Sequence, residues 1–288
     1  MGSRIVLSII IANWNSRDLV RTLLTSIYAH KPEMPFEVIV IDNGSEDGSP
    51  GMIEKEFPAV RCIKNANNLG YSRATNQGYR ASEGEYVLLL GSDTVIIDNS
   101  PQRMLDYLRS HCTVGAVCCR LLNPDRTEQG SCKRFPTLWD GAMTYLSLHV
   151  FARKYNISDF DFHKTQRVEQ PAATCLMIRR GVVEHVGLFD EQYTILYNDV
   201  DLFKRIWSAS WEIVYLGDAE IIHHGSVSTR HAGPELRLEM YRNILIYYFN
   251  KFGVKAVAVL LPILAIRLAI TNRGRRVVGL FSLGYLFR

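Results

Sequence analysis

What is missing narrows this sequence first. No Gly-x-Gly-x-x-Gly follows the first strand-like run, and no Gly-x-x-x-x-Gly-Lys-Ser/Thr occurs anywhere in the 288 residues. Those absences argue against a dinucleotide-dependent dehydrogenase and a P-loop enzyme. The six cysteines (62, 112, 118, 119, 132 and 175) include no Cys-x-x-Cys pair, which removes a zinc site or a disulfide scaffold. With no leader before the first strand, a reduced cytosolic setting is expected. The C-terminal apolar run, Ala256 to Ile266, is eleven residues long. A spanning helix needs about 20, so this run is too short to cross a bilayer. Acidic residues are absent after Glu239, where eight of the 33 basic residues fall; the body keeps 25 basic against 29 acidic, a balance of −4. Basic tails favour nucleic acid or anionic lipid. Interleaved apolar runs favour lipid here, and no nucleic-acid partner is expected.

What is present centres on Tyr86-Val87-Leu88-Leu89-Leu90-Gly91-Ser92-Asp93-Thr94. A continuous apolar run bounded by glycine reads as a strand buried on both faces of a parallel sheet. Asp93 then falls just past its C-terminal end, the edge where open α/β sheets bind ligands. A carboxylate there can hold a divalent cation against phosphate oxygens; alternatively it caps the next helix.

Before that strand come Ile5 to Ala12, Phe36 to Ile41 and Val60 to Ile63 as strands. Helices carry Val20, Leu23, Leu24 and Ile27, then residues 71–81. Alternation with short connections predicts right-handed βαβ units and a mostly parallel sheet. Each of the four strands ends in a polar loop on one edge: Asn13-Trp14-Asn15, Asp42-Asn43-Gly44-Ser45, Asn65 to Gly70, and Ser92-Asp93. Farther on, Ser100-Pro101 reads as an N-cap with a first-turn proline, and Val114 to Cys119 as a strand. Residues 124–161 read as a less regular, pocket-shaping insertion containing Trp139, Tyr145 and Phe151. Ala172 to Ile178 is a strand. Asn198-Asp199-Val200-Asp201 opens a helix whose Leu202, Phe203, Ile206 and Trp207 face inward. First-turn acids commonly complement the macrodipole, which accounts for one of the two well. Trp211 to Tyr215 and Ala219 to Ile222 read as two short strands, the second ending in His223-His224, where a metal ligand and a structural pair are equally open.

In this order the stretches Ser8 to Asn15, Val40 to Ser45, Asn67 to Ala74, Leu90 to Thr94, Cys175 to Arg180, Gly187 to Glu191, Tyr197 to Leu202 and His223 to Ser226 resemble the family 2 inverting glycosyltransferases of the GT-A fold, in their rhamnosyltransferase-like branch. The resemblance implies a Rossmann-like sheet flanked by helices, with a catalytic domain over 1–239. Its nucleotide-sugar half would be 1–120 and its acceptor half 121–239, followed by a basic, apolar helical tail over 240–288. It implies Asp42 gripping the base or ribose, bordered by Asn13, Asn15 and Trp14, with Asn67, Arg73 and Ser92 at the nucleotide. It implies Asp93 as the acid of a DxD-type motif, His223 (or His224) completing the metal's protein ligands, and Asp199 as general base. Asp201 stays open as a second carboxylate. Two positions depart from the pattern: Gly91 stands first in the DxD-type motif, and Asn198 stands where glutamate usually precedes the base.

The implied activity moves a sugar from a nucleotide-diphosphate-sugar to an acceptor hydroxyl with inversion, in polysaccharide or glycolipid assembly. A diphosphate leaving group needs a cation rather than a protein acid, which suits Mg²⁺ or Mn²⁺. A non-catalytic nucleotide-sugar-binding homologue and a nucleotidyltransferase are the rivals. The latter would want a Gly-rich basic loop after the first strand, which Asn13-Trp14-Asn15 is not. The tail is expected to lie on the anionic cytoplasmic face of a membrane, with Tyr247, Tyr248, Phe249 and Phe252 near the boundary and Val277 to Phe287 as a second patch. A glycan or lipid-linked glycan acceptor would fit that placement. The other outcomes for the tail are helices packed on the body or a homo-oligomer interface.

Overall fold

A computed structural model describes residues 4–146, 160–225 and 234–271. Strand β1 (Leu7–Asn13) lies between β2 (Phe36–Asp42) and β4 (Tyr86–Gly91), and β3 (Arg61–Lys64) pairs outside β2, all parallel. Leu7 stands opposite both Phe36 and Tyr86, which puts Asn13 level with Asp42 and Ala12 level with Gly91. Side chains alternate between faces. Ile9, Ile11, Val38, Val40, Leu88 and Leu90 pack beneath helices α1 (Arg17–Ala29), α2 (Ser49–Glu56) and α4 (Ser100–Ser110). Ile10, Val87 and Leu89 face the opposite layer, where α6 (Arg180–Val186) and α7 (Asn198–Ser208) supply Val182, Val183, Leu202, Phe203 and Ile206. Helix α3 (Tyr71–Arg80) packs on Ile39 and Ile41 through Ala74. This half of the fold is therefore the parallel sheet flanked by helices that the sequence led one to expect.

The other half of the sheet is less regular. The full order is β3-β2-β1-β4-β10-β6-β11-β5, with β8 (Gln166–Arg167) also on β11. Six of these nine strands run the same way. Strand β10 (Cys175–Arg179) is antiparallel to both neighbours, β4 and β6 (Val114–Leu122). The two short strands expected at 211–215 and 219–222 are one strand, β11 (Glu212–His223). Its register on β6 shifts between Leu216 and Glu220, so pairing is interrupted where the strand itself continues. That continuity carries His223 to the short β5 (Thr94–Ile96), opposite Thr94.

Three local expectations change. The N-cap of α4 is Asn99, while Ser100 is its first helical residue and donates its N–H to Asp98 Oδ1 at 2.8 Å. Trp207 is 42% exposed rather than buried; its indole donates to the Val168 carbonyl at 3.2 Å while its ring meets the edge of Phe135. The 124–161 segment contains the β7 (Cys132–Lys133) pairing with β9 (Gln170–Pro171) and helix α5 (Leu138–Tyr145), started by a Thr137/Asp140 capping box. Phe151 lies outside the described residues, as do the 277–287 patch and Arg273, Arg275, Arg276 and Arg288.

Helices α8 (Pro234–Phe252) and α9 (Val254–Thr271) pack on α5 and on the start of α7. Tyr247 and Tyr248 are buried in that cluster, so neither stands at an exterior boundary. Asn243, fully buried on α8, accepts the N–H groups of Ile195 and Leu196 at 3.0 and 3.2 Å. Those two residues enter α7, so α8 braces the loop in front of Asp199. Substituting Asn243 by Ala removes the acceptor of two part-buried N–H groups, for a cost of roughly 1–3 kcal/mol. Denaturant unfolding should show this loss; a change under 0.5 kcal/mol would mean the helix is not a structural support of the body.

Candidate active site

The floor of the site is a hydrogen-bonded chain across three strand ends. Asn13 Nδ2 donates to Asp42 Oδ1 at 2.9 Å, and the Ser45 N–H donates to Asp42 Oδ2 at 3.0 Å. Asp42 is 1% exposed, and a carboxylate that deep needs such donors. Asn13 Oδ1 in turn accepts from Ser16 Oγ at 2.8 Å, and Ser16 Oγ lies 3.1 Å from Ser92 Oγ at the end of β4. Asn15 takes a left-handed φ of 47° and clasps the neighbouring loop: its N–H goes to Ser45 Oγ at 2.9 Å and its Oδ1 accepts from Glu46 N at 2.8 Å. Trp14, 40% exposed, stands beside it.

The loop after β3 folds over β2. Asn43 Oδ1 accepts from Leu69 N, and its Nδ2 donates to Asn68 at 2.7 Å. Gly44, at φ +77°, admits that loop: a Cβ here would sit 2.9 Å from Asn67 Cα. Asn67 is exposed at the crest. Arg73, more than half exposed in the first turn of α3, lies 3.6 Å from Glu191. Ser72 beside it donates to the Tyr193 carbonyl and accepts from Asn198 Nδ2 at 3.2 Å, which ties this half of the molecule to the start of α7.

Asp93 sits in the β4–β5 turn, 9% exposed. His223 Nε2 faces its Oδ1 at 3.5 Å, and the His224 backbone N–H donates to the Asp93 carbonyl at 2.9 Å. The two histidines thus separate: the ring of His223 faces the acid, while His224 contributes its backbone. His223 Nδ1 lies 2.8 Å from Gln129 Oε1. An amide oxygen only accepts, so Nδ1 carries a proton, and in the neutral ring the lone pair is then on Nε2, the atom that faces Asp93. Two lone-pair atoms facing each other at this distance fit two ligands of one divalent cation. Among the described residues no group of three or more His, Cys, Asp or Glu could hold a metal, so substrate oxygens or water would complete the shell. At the Gly91 departure a Cβ would approach Asp93 Oδ1 to 3.0 Å, so a side chain there would press on that carboxylate.

Asp199 opens α7 after Tyr197, whose φ of 66° is left-handed. It lines a cavity of about 290 Å³ with Lys133, Asp140, Gln170, Leu196, Tyr197 and Tyr248. Burial raises the Asp199 pKa, against the lowering effects of the Val200 N–H bond at 2.8 Å and the Lys133 charge. Desolvation therefore outweighs the helix-end field that would have weakened this acid as a base. Asn198, the other departure, is buried and accepts the Asp199 N–H at 3.0 Å. Tyr71, its pKa pushed up to about 12 chiefly by burial, also feels the charges of Asp199 and Asp93. Asp201 belongs elsewhere. Arg205 Nε donates to it at 2.8 Å and the same guanidinium caps the carbonyls of Val186, Gly187 and Leu188.

Sequence reasoning missed Gln129, Lys133 and Gln170. The Asn123-Pro124-Asp125 turn signal could have indicated a hairpin presenting Gln129. Lys133 and Gln170 come together only through the β7–β9 pairing, register Lys133 to Gln170. Gln170 is buried and its Oε1 has no hydrogen-bond partner among the described residues, so an acceptor atom is left at the cavity.

The family model described as "Glycosyl transferase family 2" matches residues 8–187. N-acetylglucosaminyl-diphospho-decaprenol L-rhamnosyltransferase of Mycobacterium tuberculosis is 30% identical over 212 residues, covering 68% of this chain and 69% of that protein. O-antigen biosynthesis protein RfbC of Myxococcus xanthus is 30% identical over 232 residues, covering 77% of this chain but only 18% of its own length. Among solved structures, mannosyltransferase PcManGT from Pyrobaculum calidifontis, in complex with GDP-Man and Mn2+, has a TM-score of 0.57 at 18% identity, covering 98% of this chain and 80% of that one. At that identity the likeness concerns the fold.

The raised pKa of Asp199 has a consequence for stability. Its ionised form is penalised in the fold, so the penalty is complete above the folded pKa and vanishes below the unfolded value of about 3.9. Asp199→Asn should therefore raise the melting temperature at pH 7, with the gain fading as pH falls to 4 and below. A neutral-pH destabilisation in thermal melts would contradict the burial argument.

Proposed function

The chain belongs to glycosyl transferase family 2, and from that premise we propose that it transfers a sugar from a nucleoside-diphosphate donor to an acceptor hydroxyl by one displacement with inversion. The observation that carries this reading is the approach of His223 Nε2 to Asp93 Oδ1 at the end of β4, on the sheet edge whose floor is the buried, hydrogen-bonded Asp42. The nucleoside is assigned to the cleft above Asp42, bordered by Asn13, Trp14, Asn15, Asn67 and Arg73, with Ser92 linking that floor to the diphosphate. Asp93 Oδ1 and His223 Nε2 would hold a divalent cation there; the imidazole nitrogen favours Mn²⁺ over Mg²⁺. When bound, such a cation offsets the charge that develops on the departing diphosphate.

The cavity beside Asp199 is assigned to the acceptor. At about 290 Å³ it lies at the small end of ligand pockets, which suits one sugar ring better than an extended glycan. Val200 N–H holds Asp199 Oδ1, leaving Oδ2 to take the proton of the attacking hydroxyl. Gln170 Oε1 offers an acceptor to a second hydroxyl. A retaining route needs another carboxylate at the reacting carbon. Asp201 is bound to Arg205, and Asp140 Oδ2 already accepts from Thr137 N and Oγ1. The departures at Gly91 and Asn198 remove neither acid, so they do not support a loss of turnover. The rhamnosyltransferase and O-antigen relatives support a deoxyhexosyl donor and a lipid-linked glycan acceptor.

Asp199→Asn should cut transfer by roughly 10²–10⁴ while leaving Mn²⁺-dependent donor binding intact. Asp93→Ala should lose that binding. Release of nucleoside diphosphate and calorimetric titration separate the two effects. An Asp199→Asn enzyme with near-normal turnover would remove the base assignment.

We assign the tail to the surface of an anionic membrane, on the cytoplasmic side. No described helix is long and apolar enough to cross a membrane. Helix α9 buries Ala256, Leu260 and Leu264 but exposes Lys255, Ala258, Val259, Pro262 and Ile266 at three- and four-residue spacing. The basic residues of α8 and α9 divide: Arg267 donates to the Tyr145 carbonyl at 2.9 Å and Arg242 pairs with Glu239, while Lys251 and Lys255 are exposed. Liposome flotation should show salt-sensitive binding that rises with anionic lipid and falls in Val259→Asp/Ile266→Asp. Equal flotation of the variant would assign this face to protein packing.

A further inference from the structure

The contact between Gln129 and His223 is built rather than incidental. Residues 123–127 form a tight turn in which Arg126 N–H donates to the Asn123 carbonyl, Asn123 N–H to the Thr127 carbonyl, and Thr127 N–H and Oγ to Asp125 Oδ1. Arg126 takes the left-handed φ of 66° that closes it. The chain then returns along β6, with Gln129 N–H on the Leu121 carbonyl at 2.9 Å. From there both ends of the Gln129 amide reach the same histidine. Its Nε2 donates to the His223 carbonyl at 2.8 Å and to Asn123 Oδ1 at 2.8 Å, and its Oε1 lies 2.8 Å from His223 Nδ1.

This network has one sense. A backbone carbonyl only accepts, so the amide nitrogen must face it and the amide oxygen must face the ring. Asn123 agrees, since its Nδ2 donates to Thr127 Oγ1 and its Oδ1 is left to accept. We infer that Gln129 is a positioning residue: it holds His223 as the Nδ1–H tautomer and reserves the Nε2 lone pair for the cation shared with Asp93. The inference rests on the cation assignment above. Without the Gln129 oxygen, nothing in this network prevents the proton from moving to Nε2, where it would block ligation. Outer partners of this kind typically change metal affinity 10–100-fold when removed.

The test uses the full chain with Gln129→Leu and Gln129→Glu. Glutamate keeps an acceptor for Nδ1–H and leucine does not. Long-range ¹H–¹⁵N spectra of histidine-labelled, metal-free protein, with His223→Ala to assign the signal, read the tautomer directly. Electron paramagnetic resonance reads Mn²⁺ binding in the presence of nucleoside diphosphate. Wild type and Gln129→Glu should both carry a proton on Nδ1, and Gln129→Glu, which loses the amide donor to the His223 carbonyl and Asn123, should still bind Mn²⁺ more tightly than Gln129→Leu. Gln129→Leu should show mixed tautomers and bind Mn²⁺ about 10–100-fold more weakly. An unchanged tautomer and unchanged Mn²⁺ affinity in Gln129→Leu would overturn the inference, whatever its melting temperature, and leave Gln129 as a hairpin brace. If wild type itself binds no Mn²⁺, the cation assignment falls, and the metal-free spectra still decide whether Gln129 sets the tautomer.

Discussion

The chemistry of this protein depends on the register of β1 between its two parallel neighbours. Asn13 reaches Asp42 because Leu7 stands opposite Phe36, and Gly91 reaches the same level because Leu7 also stands opposite Tyr86. A slip of one residue would turn Ile9 and Ile11 from one face of the sheet to the other. It would also break a hydrogen bond between two side chains that are 0% and 1% exposed. Apolar packing on both faces and a polar lock at the strand ends therefore select the same alignment. With that alignment set, β4 delivers Asp93 to the sheet edge, and the pairing of Thr94 with His223 brings a residue 130 positions later to within 3.5 Å of it.

Burial shapes the site in two opposite ways. At Asp42 it is matched by two donors, so the carboxylate serves as part of the floor. At Asp199 the cavity wall leaves one donor on the carboxylate, and desolvation raises its pKa. A helix start alone would have made this residue a weaker base. Its burial beside the wall of α5 and α8 reverses that tendency, against the lowering effect of the Lys133 charge. The C-terminal helices thus help to shape the site: Tyr248 lines the cavity beside Asp199, and Asn243 holds the approach to α7.

The first four strands and helices α1 and α3 were legible from their apolar runs and helical stripes, and the βαβ rule leaves little freedom of connection; α2 was not, because only Met52 and Ile53 give it an apolar face. Asp93 and Asp199 were legible as acids at a strand end and a helix start, with roles supplied by family resemblance. The rest depends on contacts distant in sequence. Strand β11 looks like two strands because Gly217 and Asp218 interrupt its apolar pattern, yet its neighbours β8 and β5 hold it as one. Trp207 has the spacing of a core residue, but its indole N–H is drawn to the Val168 carbonyl at the surface. Tyr247 and Tyr248 resemble boundary aromatics beside a short apolar run until α5 and α7 are seen to cover them. Gln129 and Gln170 belong to no motif; only the hairpin and the β7–β9 ladder reveal what they face.

The central claim is that a divalent cation and a nucleoside diphosphate meet between the β4 turn and the end of β11. Crystals grown with Mn²⁺ and a nucleoside diphosphate, measured at the manganese absorption edge, would locate the ion by its anomalous scattering. The account predicts a single strong peak within bonding distance of Asp93 and His223 Nε2, with diphosphate oxygens on its open side. A diphosphate bound at this sheet edge with no anomalous peak beside Asp93, or a peak held by other residues, would contradict it.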